Sequence, residues 1–215
     1  MPTIVNIDKI HVLRDVSLTM EKGSMVGLIG RNGAGKTTLI RSIMGLLKVE
    51  SGLIQIEDKD MTLVPAHERV YSHVGYMPED RKLIPDLTVE ENVLLPLWAV
   101  KDKQADSRLA WVYDLMPEVA AFSSRRALQL SGGQQKLVAL ARSLMVGEKL
   151  LLLDEPFEGV APALSQKLIE VLHRLKAEGL SVMLSESDYT HSAGLVDKVF
   201  IIERGEIKKD KDIEN

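Results

Sequence analysis

Three short stretches of this chain carry residue types suited to phosphate chemistry. The first is Gly30-Arg31-Asn32-Gly33-Ala34-Gly35-Lys36-Thr37, followed by Thr38. It fits the pattern G-x-x-x-x-G-K-[ST]. Glycines in such a loop let successive backbone N–H groups turn inward around phosphate oxygens. Lys36 reaches the β and γ oxygens as a point charge, and the Thr37 hydroxyl suits a Mg2+ ion. A helix starting at Lys36 aims its positive end at the same anion. A chance glycine-rich turn is the bland alternative, and the apolar strand before the loop and the helical pattern after it weigh against it. The second stretch, Leu150-Leu151-Leu152-Leu153-Asp154-Glu155-Pro156, is a buried strand ending in two adjacent carboxylates. Asp154 there would belong to the Mg2+ shell, and Glu155 would orient or deprotonate an attacking water. The third, Leu130-Ser131-Gly132-Gly133-Gln134, places a capping serine and glycines at a helix start. That is a second anion site, or a plain capping box.

These residues need elements to hold them. Met25–Ile29 is an apolar run of the kind found in a strand covered on both faces. The pattern then predicts a helix from Lys36 to about Leu47, with Leu39, Ile40, Ile43, Met44 and Leu47 on one face. Ile4–Ile7, Val12–Leu18, Leu53–Glu57, Val74–Met77, Lys149–Leu153, Ser181–Leu184 and Val199–Ile202 read as strands. Thr88 to Glu91 has reciprocal capping for a helix running toward Pro96. Asp106 can cap the next helix, which Pro117 stops or kinks. Ser131 opens another, running to Met145. Ala163–Glu178 is a long helix with Leu164, Leu168, Val171, Leu172 and Leu175 inward and Gly179 after it. Arg204-Gly205 turns into a last short strand, and the charged tail Lys208–Asn215 is expected to fray. Strands alternating with helices indicate a largely parallel α/β sheet, with a block of helices between about Thr88 and Met145 inserted in it.

Composition narrows the functions. At 215 residues the chain is about one domain. Its 27 Lys and Arg against 31 Asp and Glu leave a net charge of -4, which argues against a strongly basic nucleic-acid binder. With no cysteine, disulfides, thiolate-bound metal and a thiol nucleophile are excluded. No apolar run approaches the length of about 18 residues that a membrane span needs, and the N-terminus lacks the basic start and apolar stretch of a signal peptide. A chain acting on a membrane process would need others to cross the bilayer.

With the three motifs in hand, the chain from Val12 to Ile207 resembles the ATP-binding-cassette (ABC) ATPases, whose signature is the pentapeptide at 130–134. The resemblance implies an α/β fold in one domain. A P-loop NTPase core with a largely parallel sheet and an N-terminal antiparallel β subdomain occupies 1–87 and 146–215, and an inserted α-helical subdomain occupies 88–145. It implies ATP and Mg2+ as cofactors. Two cassettes, alike or different, meet head to tail so that Ser131, Gly132, Gly133 and Gln134 of each reach the γ-phosphate held by the other. Glu79 stands in the Q-loop slot, where most members have Gln, with a catalytic and metal-facing role beside Thr37 and Asp154. Ala161 stands where most have Asp. Both departures look like the ATPases of branched-chain amino-acid and urea-type importers. That implies a cytoplasmic subunit held to the inner face of the membrane by permease subunits, together with a solute-binding protein.

Two further departures concern the site. Ser187 occupies the slot of the family's switch histidine, and His191, four residues on, reads as a solvated surface residue. The family stacks adenine on an aromatic before the Val-Ser-Leu strand. Here Ile7, Ile10 and His11 stand there, and His11 either stacks on the base or is an exposed hairpin residue, with Val12 and Ile10 available for packing. Trp98 and Trp111 are expected to pack the inserted helices, one of them facing a membrane partner as the alternative; His73 is expected at the surface. Two other readings compete with a transporter ATPase: a non-transport ABC ATPase on nucleic acid or ribosomes, against which the single cassette and acidic charge argue, and a weakly active regulatory cassette, favoured by Ser187 and opposed by Glu155 and Lys36.

Overall fold

The computed structural model describes residues 2–9, 12–100, 104–188 and 190–212. Two sheets organise them. The first is antiparallel, with order β2-β1-β4-β5, built from β1 (Thr3–Lys9), β2 (Arg14–Met20), β4 (Ser51–Ile56) and β5 (Lys59–Asp60). Val16, Leu18 and Met20 alternate inward along β2 while their neighbours face out, which is why this sheet covers the core with one face only.

The second sheet has order β10-β9-β3-β8-β7-β6, from β3 (Met25–Ile29), β6 (Val74–Met77), β7 (Leu150–Asp154), β8 (Ser181–Glu186), β9 (Lys198–Glu203) and β10 (Glu206–Asp212). All its pairings are parallel except β9 with β10. Every residue of β3, β7 and β8 is buried. The alternation explains it: Leu150 and Leu152 enter the core shared with the antiparallel sheet and α1 (Lys36–Ile43), whereas Leu151 and Leu153 enter the core of the other helices. Those are α2 (Val89–Val100), α3 (Ala105–Leu115), α4 (Pro117–Ala121), α5 (Gly132–Leu144) and α6 (Pro162–Ala177). In α6 the inward face holds Leu168, Val171, Leu172 and Leu175, all buried.

The two capping boxes form. The Thr88 N–H donates to Glu91 Oε2 at 2.7 Å, and the Gln134 N–H to Ser131 Oγ at 3.3 Å. Elsewhere the structure corrects the sequence reading. Helix α1 stops at Ile43, because Gly45 turns left-handed at φ 67° and the buried Arg69 guanidinium takes the Ile43 carbonyl; Leu47 therefore lies outside the helix, partly in solvent. Pro96 sits inside α2, whose Val93 and Leu97 are buried on either side of it. Asp106 lies in the first turn of α3, after the N-cap Gln104. Residues 209–212 pair with β9 as part of β10 rather than fraying, in register such as Lys211 opposite Val199, after an irregularity at Lys208; residues 213–215 lie outside the described residues. Trp111 packs on the helical core with the Arg108 guanidinium 4.0 Å from its ring, while Trp98 is about half exposed at 49%.

Candidate functional site

The C-terminal ends of β3, β7 and β8 lie side by side, where parallel α/β sheets place their ligand crevices. From β3 the chain enters residues 30–35. A Cβ on Gly30 would lie 2.4 Å from the Ile202 carbonyl oxygen, so only glycine lets the loop leave the strand here, and Gly35 enters α1 at φ 116°. The Lys36 side chain turns back under the loop. Its ammonium donates to the Gly30 and Arg31 carbonyls and pairs with Glu155 Oε1 at 2.9 Å. Beside it opens a cleft of about 500 Å3, whose walls include Asn32, Lys36, Thr37, Thr38, Glu79 and Glu155, with Val12 and Glu158.

At the end of β7, Asp154 is almost fully buried. Its Oδ1 accepts two hydroxyls, Thr37 Oγ1 at 3.2 Å and Ser185 Oγ at 2.7 Å, whereas its buried Oδ2 has no partner. Burial pushes the Asp154 carboxyl up, and the two hydroxyls and nearby Arg41 and Lys36 pull it back. Glu155 follows with φ 49°, a left-handed conformation rare for a side chain this long. Its N–H donates to Ser185 Oγ at 3.0 Å. Burial raises its carboxyl too, and Lys36 opposes that. The Thr37 hydroxyl and the unpartnered Asp154 oxygen are hard oxygen donors beside a phosphate-type loop, and they fit a Mg2+ ion that completes its shell from phosphate and water. Among the described residues no cluster of three or more His, Cys, Asp or Glu could hold a metal by itself.

Ser131 and Gly132, at the start of α5, are exposed and are not part of the cleft wall. The sequence reading missed what lies one turn further along. Lys136 is buried, and its ammonium donates to the Glu155 carbonyl at 2.8 Å and to the Glu158 carbonyl. Glu79 faces both the main cleft and a smaller one shared with Arg81, Gly132 and Lys136. Ser185 was missed as well. The available signal was a polar residue ending an otherwise apolar strand, and for Lys136 a lysine among the buried positions of a helix.

Ser187 lies at the site, its hydroxyl 3.1 Å from Asn32 Oδ1 and 3.5 Å from Glu155 Oε1. His191 is exposed, as expected, and also has a neighbour the sequence does not announce. Its ring stacks on Phe157, with centroids 5.0 Å apart, and its Nδ1 lies 4.0 Å from Glu186 Oε2. Glu186 is itself buried, and burial, with Glu155 and Asp188 nearby, pushes its carboxyl up to about 7. Val12 borders the cleft; Ile10 and His11, the other residues considered for adenine, lie outside the described residues. No helix among the described residues is long and apolar enough to cross a membrane.

Comparison with known proteins agrees with this geometry. The family described as ABC transporter matches residues 13–158. Over 199 residues the chain is 36% identical to the high-affinity branched-chain amino acid transport ATP-binding protein BraG of Pseudomonas aeruginosa, covering 93% of this chain and 85% of that one. It is 33% identical to the lipopolysaccharide export system ATP-binding protein LptB of Escherichia coli, covering 92% and 83%. Among solved structures, a nucleotide-free ATP-binding cassette from an ABC transporter superposes with a TM-score of 0.88 at 28% identity, over 100% of this chain and 92% of that one. With the phosphate loop, the paired carboxylates and the capped signature helix assembled in one fold, the chain belongs to the ABC transporter family, as an ATP-binding, ATP-hydrolysing subunit.

Proposed function

We propose that this subunit drives import of branched-chain amino acids or related small polar solutes, in a pair of cassettes bound to permease subunits at the inner face of the membrane and served by a solute-binding protein. The observation that carries the ATPase part is the grouping of Lys36, Thr37 and Glu155 on the cleft wall, with Asp154 buried directly behind Thr37. Residues 30–38 cradle the phosphates with their backbone N–H groups, and Lys36 moves from the Glu155 carboxylate to a phosphate oxygen. Glu155, released from that pair, accepts the proton of the attacking water; its burial keeps it basic enough for the task. Thr37 and the free oxygen of Asp154 would hold Mg2+, with Glu79 facing the same cleft. Mg2+, when bound, neutralises charge developing on the transferred phosphoryl group. Because Ser131 opens outward, its helix N-terminus serves the nucleotide of a partner cassette, and Gly132, Gly133 and Gln134 act with it.

The importer reading is supported by Glu79 and Ala161 in their slots and by the likeness to BraG. An export reading is favoured by the likeness to LptB. The test is to isolate the tagged chain with its membrane partners, identify them by mass and reconstitute the complex in vesicles. ATP-driven uptake of labelled leucine in the presence of a co-purified binding protein is the expected result. ATP-dependent extraction of lipid with no amino-acid uptake would replace import by export.

A further inference from the structure

We propose that Ser185 is a positioning residue, which orients Asp154 toward the divalent cation and at the same time holds the turn that presents Glu155. This rests on the reading of Thr37 and Asp154 as cation ligands. Strand β8 lies between β3 and β7, and its register sets Ser185 against Leu28 on one side and Asp154 on the other. The residue is 0% exposed, at the end of a run of Val182, Met183 and Leu184. A hydroxyl at such a depth is unfavourable unless fully bonded, and this one is bonded on both sides.

The chemistry of the hydroxyl fixes the direction of both bonds. The Glu155 N–H can only donate, so a Ser185 Oγ lone pair accepts it at 3.0 Å. The single hydroxyl proton is then left for Asp154 Oδ1 at 2.7 Å. Two consequences follow. First, Oδ1 is occupied by Ser185 and Thr37, and the buried Oδ2 is left with its lone pairs unused. The carboxylate cannot rotate to exchange its oxygens without giving up the short bond to Ser185. Second, the bonded N–H belongs to the residue with φ 49°, so the same hydroxyl stabilises the left-handed turn that brings the Glu155 carboxylate to Lys36. An alanine would fill nearly the same volume and would lose both bonds; a filler role alone would make that exchange silent at the cation.

The test uses Mn2+ as probe, with ADP, free Mn2+ being counted by electron paramagnetic resonance. The variants are Ser185→Ala, Ser185→Cys and, as reference, Asp154→Ala. Ser185→Ala should weaken Mn2+ binding about tenfold, the lower end of what losing a partner behind a metal ligand does. ADP binding measured without metal should stay within about twofold of wild type, because the nucleotide loop does not use this hydroxyl. Ser185→Cys, a similar volume with a weaker donor, should fall between. Unchanged Mn2+ binding in folded Ser185→Ala, with Asp154→Ala impaired, overturns the proposal. If the alanine variant fails to fold, unchanged Mn2+ binding in Ser185→Cys does the same. If Asp154→Ala leaves Mn2+ binding intact, the cation reading itself falls, and the proposal with it.

Discussion

Replacing Glu155 by Gln should move nucleotide binding and turnover in opposite directions. The Lys36 ammonium is buried with Glu155 Oε1 at 2.9 Å, and an incoming phosphate competes with that carboxylate for it. Glutamine keeps the shape and replaces the ion pair by a hydrogen bond from the ammonium to a neutral carbonyl. Bonds to charged groups contribute ~1.5–3 kcal/mol, and removing one of the two charges moves this contact from the upper toward the lower end, so the competition weakens by ~1 kcal/mol and ATP should bind about fivefold more tightly. Losing the general base should cost turnover 10²–10⁴-fold, or ~2.7–5.5 kcal/mol in the barrier. The fold should be kept, since Lys36 retains the Gly30 and Arg31 carbonyls. Calorimetric ATP titration and phosphate release on one preparation measure both effects. Turnover within about threefold of wild type would remove Glu155 as base. Weaker ATP binding in a well-folded variant would refute the competition for Lys36.

Three other outcomes are expected. Ser187→Ala should lower turnover by no more than about fivefold, since its one hydroxyl proton goes to the nearer Asn32 Oδ1, a neutral interaction of ~1 kcal/mol, with Glu155 farther off at 3.5 Å; a hundredfold loss measured by phosphate release would give Ser187 a direct catalytic part. In the Glu155→Gln background, Ser131→Arg should abolish the ATP-dependent dimer in sedimentation and spare ATP binding by the monomer, and an undiminished dimer would count against the head-to-tail pairing. Glu186 makes stability depend on pH. Its carboxyl is pushed from the usual 4.5 to about 7 by burial, with Glu155 and Asp188 adding to the effect, the Ser192 hydroxyl and the His191 backbone opposing it, and the His191 ring nearby. The folded chain therefore holds this proton more tightly than the unfolded one, a contribution complete below pH 4.5 and lost as pH rises through about 7. Glu186→Gln, neutral throughout, should flatten that slope and raise Tm above pH 7 by several degrees, the full effect being bounded at ~3 kcal/mol. Identical pH slopes for variant and wild type in thermal melts would exclude it.

What could be read from the sequence was local. The turn into Lys36, the all-apolar strand ending at Asp154 and the capping boxes at Thr88 and Ser131 each rest on residues within a few positions of one another, and each forms. What escaped depends on partners distant in the chain. Ser185 acquires its contacts only because β8 is inserted between β3 and β7, a neighbour relation spanning 31 positions to Asp154. Lys136 looks like one more helix lysine until the turn after β7 is laid against it. Leu47 fits the periodicity of α1, but Arg69, 26 positions beyond Ile43, takes the carbonyl at the helix end. The tail after Lys208 is too charged to suggest a strand, yet β9 offers it an open edge. His191 is at the surface as its sequence suggests, but nothing near it in the chain announces its stack on Phe157.

Helix α5 holds more than its own signature. Near its start Lys136 grips the carbonyls of Glu155 and Glu158, and further along Arg142 donates to those of Arg81 and Lys82, two residues that both carry positive φ. Arg81 in turn donates to the Gly132 carbonyl. Two loops remote from each other in the chain are thus pinned to one rod at points six residues, roughly 9 Å, apart along its axis. Kinematically, the segment that follows Glu79 and the turn carrying Glu155 are coupled through that one rod. A displacement of residues 81–82 would therefore bear on the rod through Arg142 and Gly132, and the contacts of Lys136 would carry it on to the backbone of Glu155.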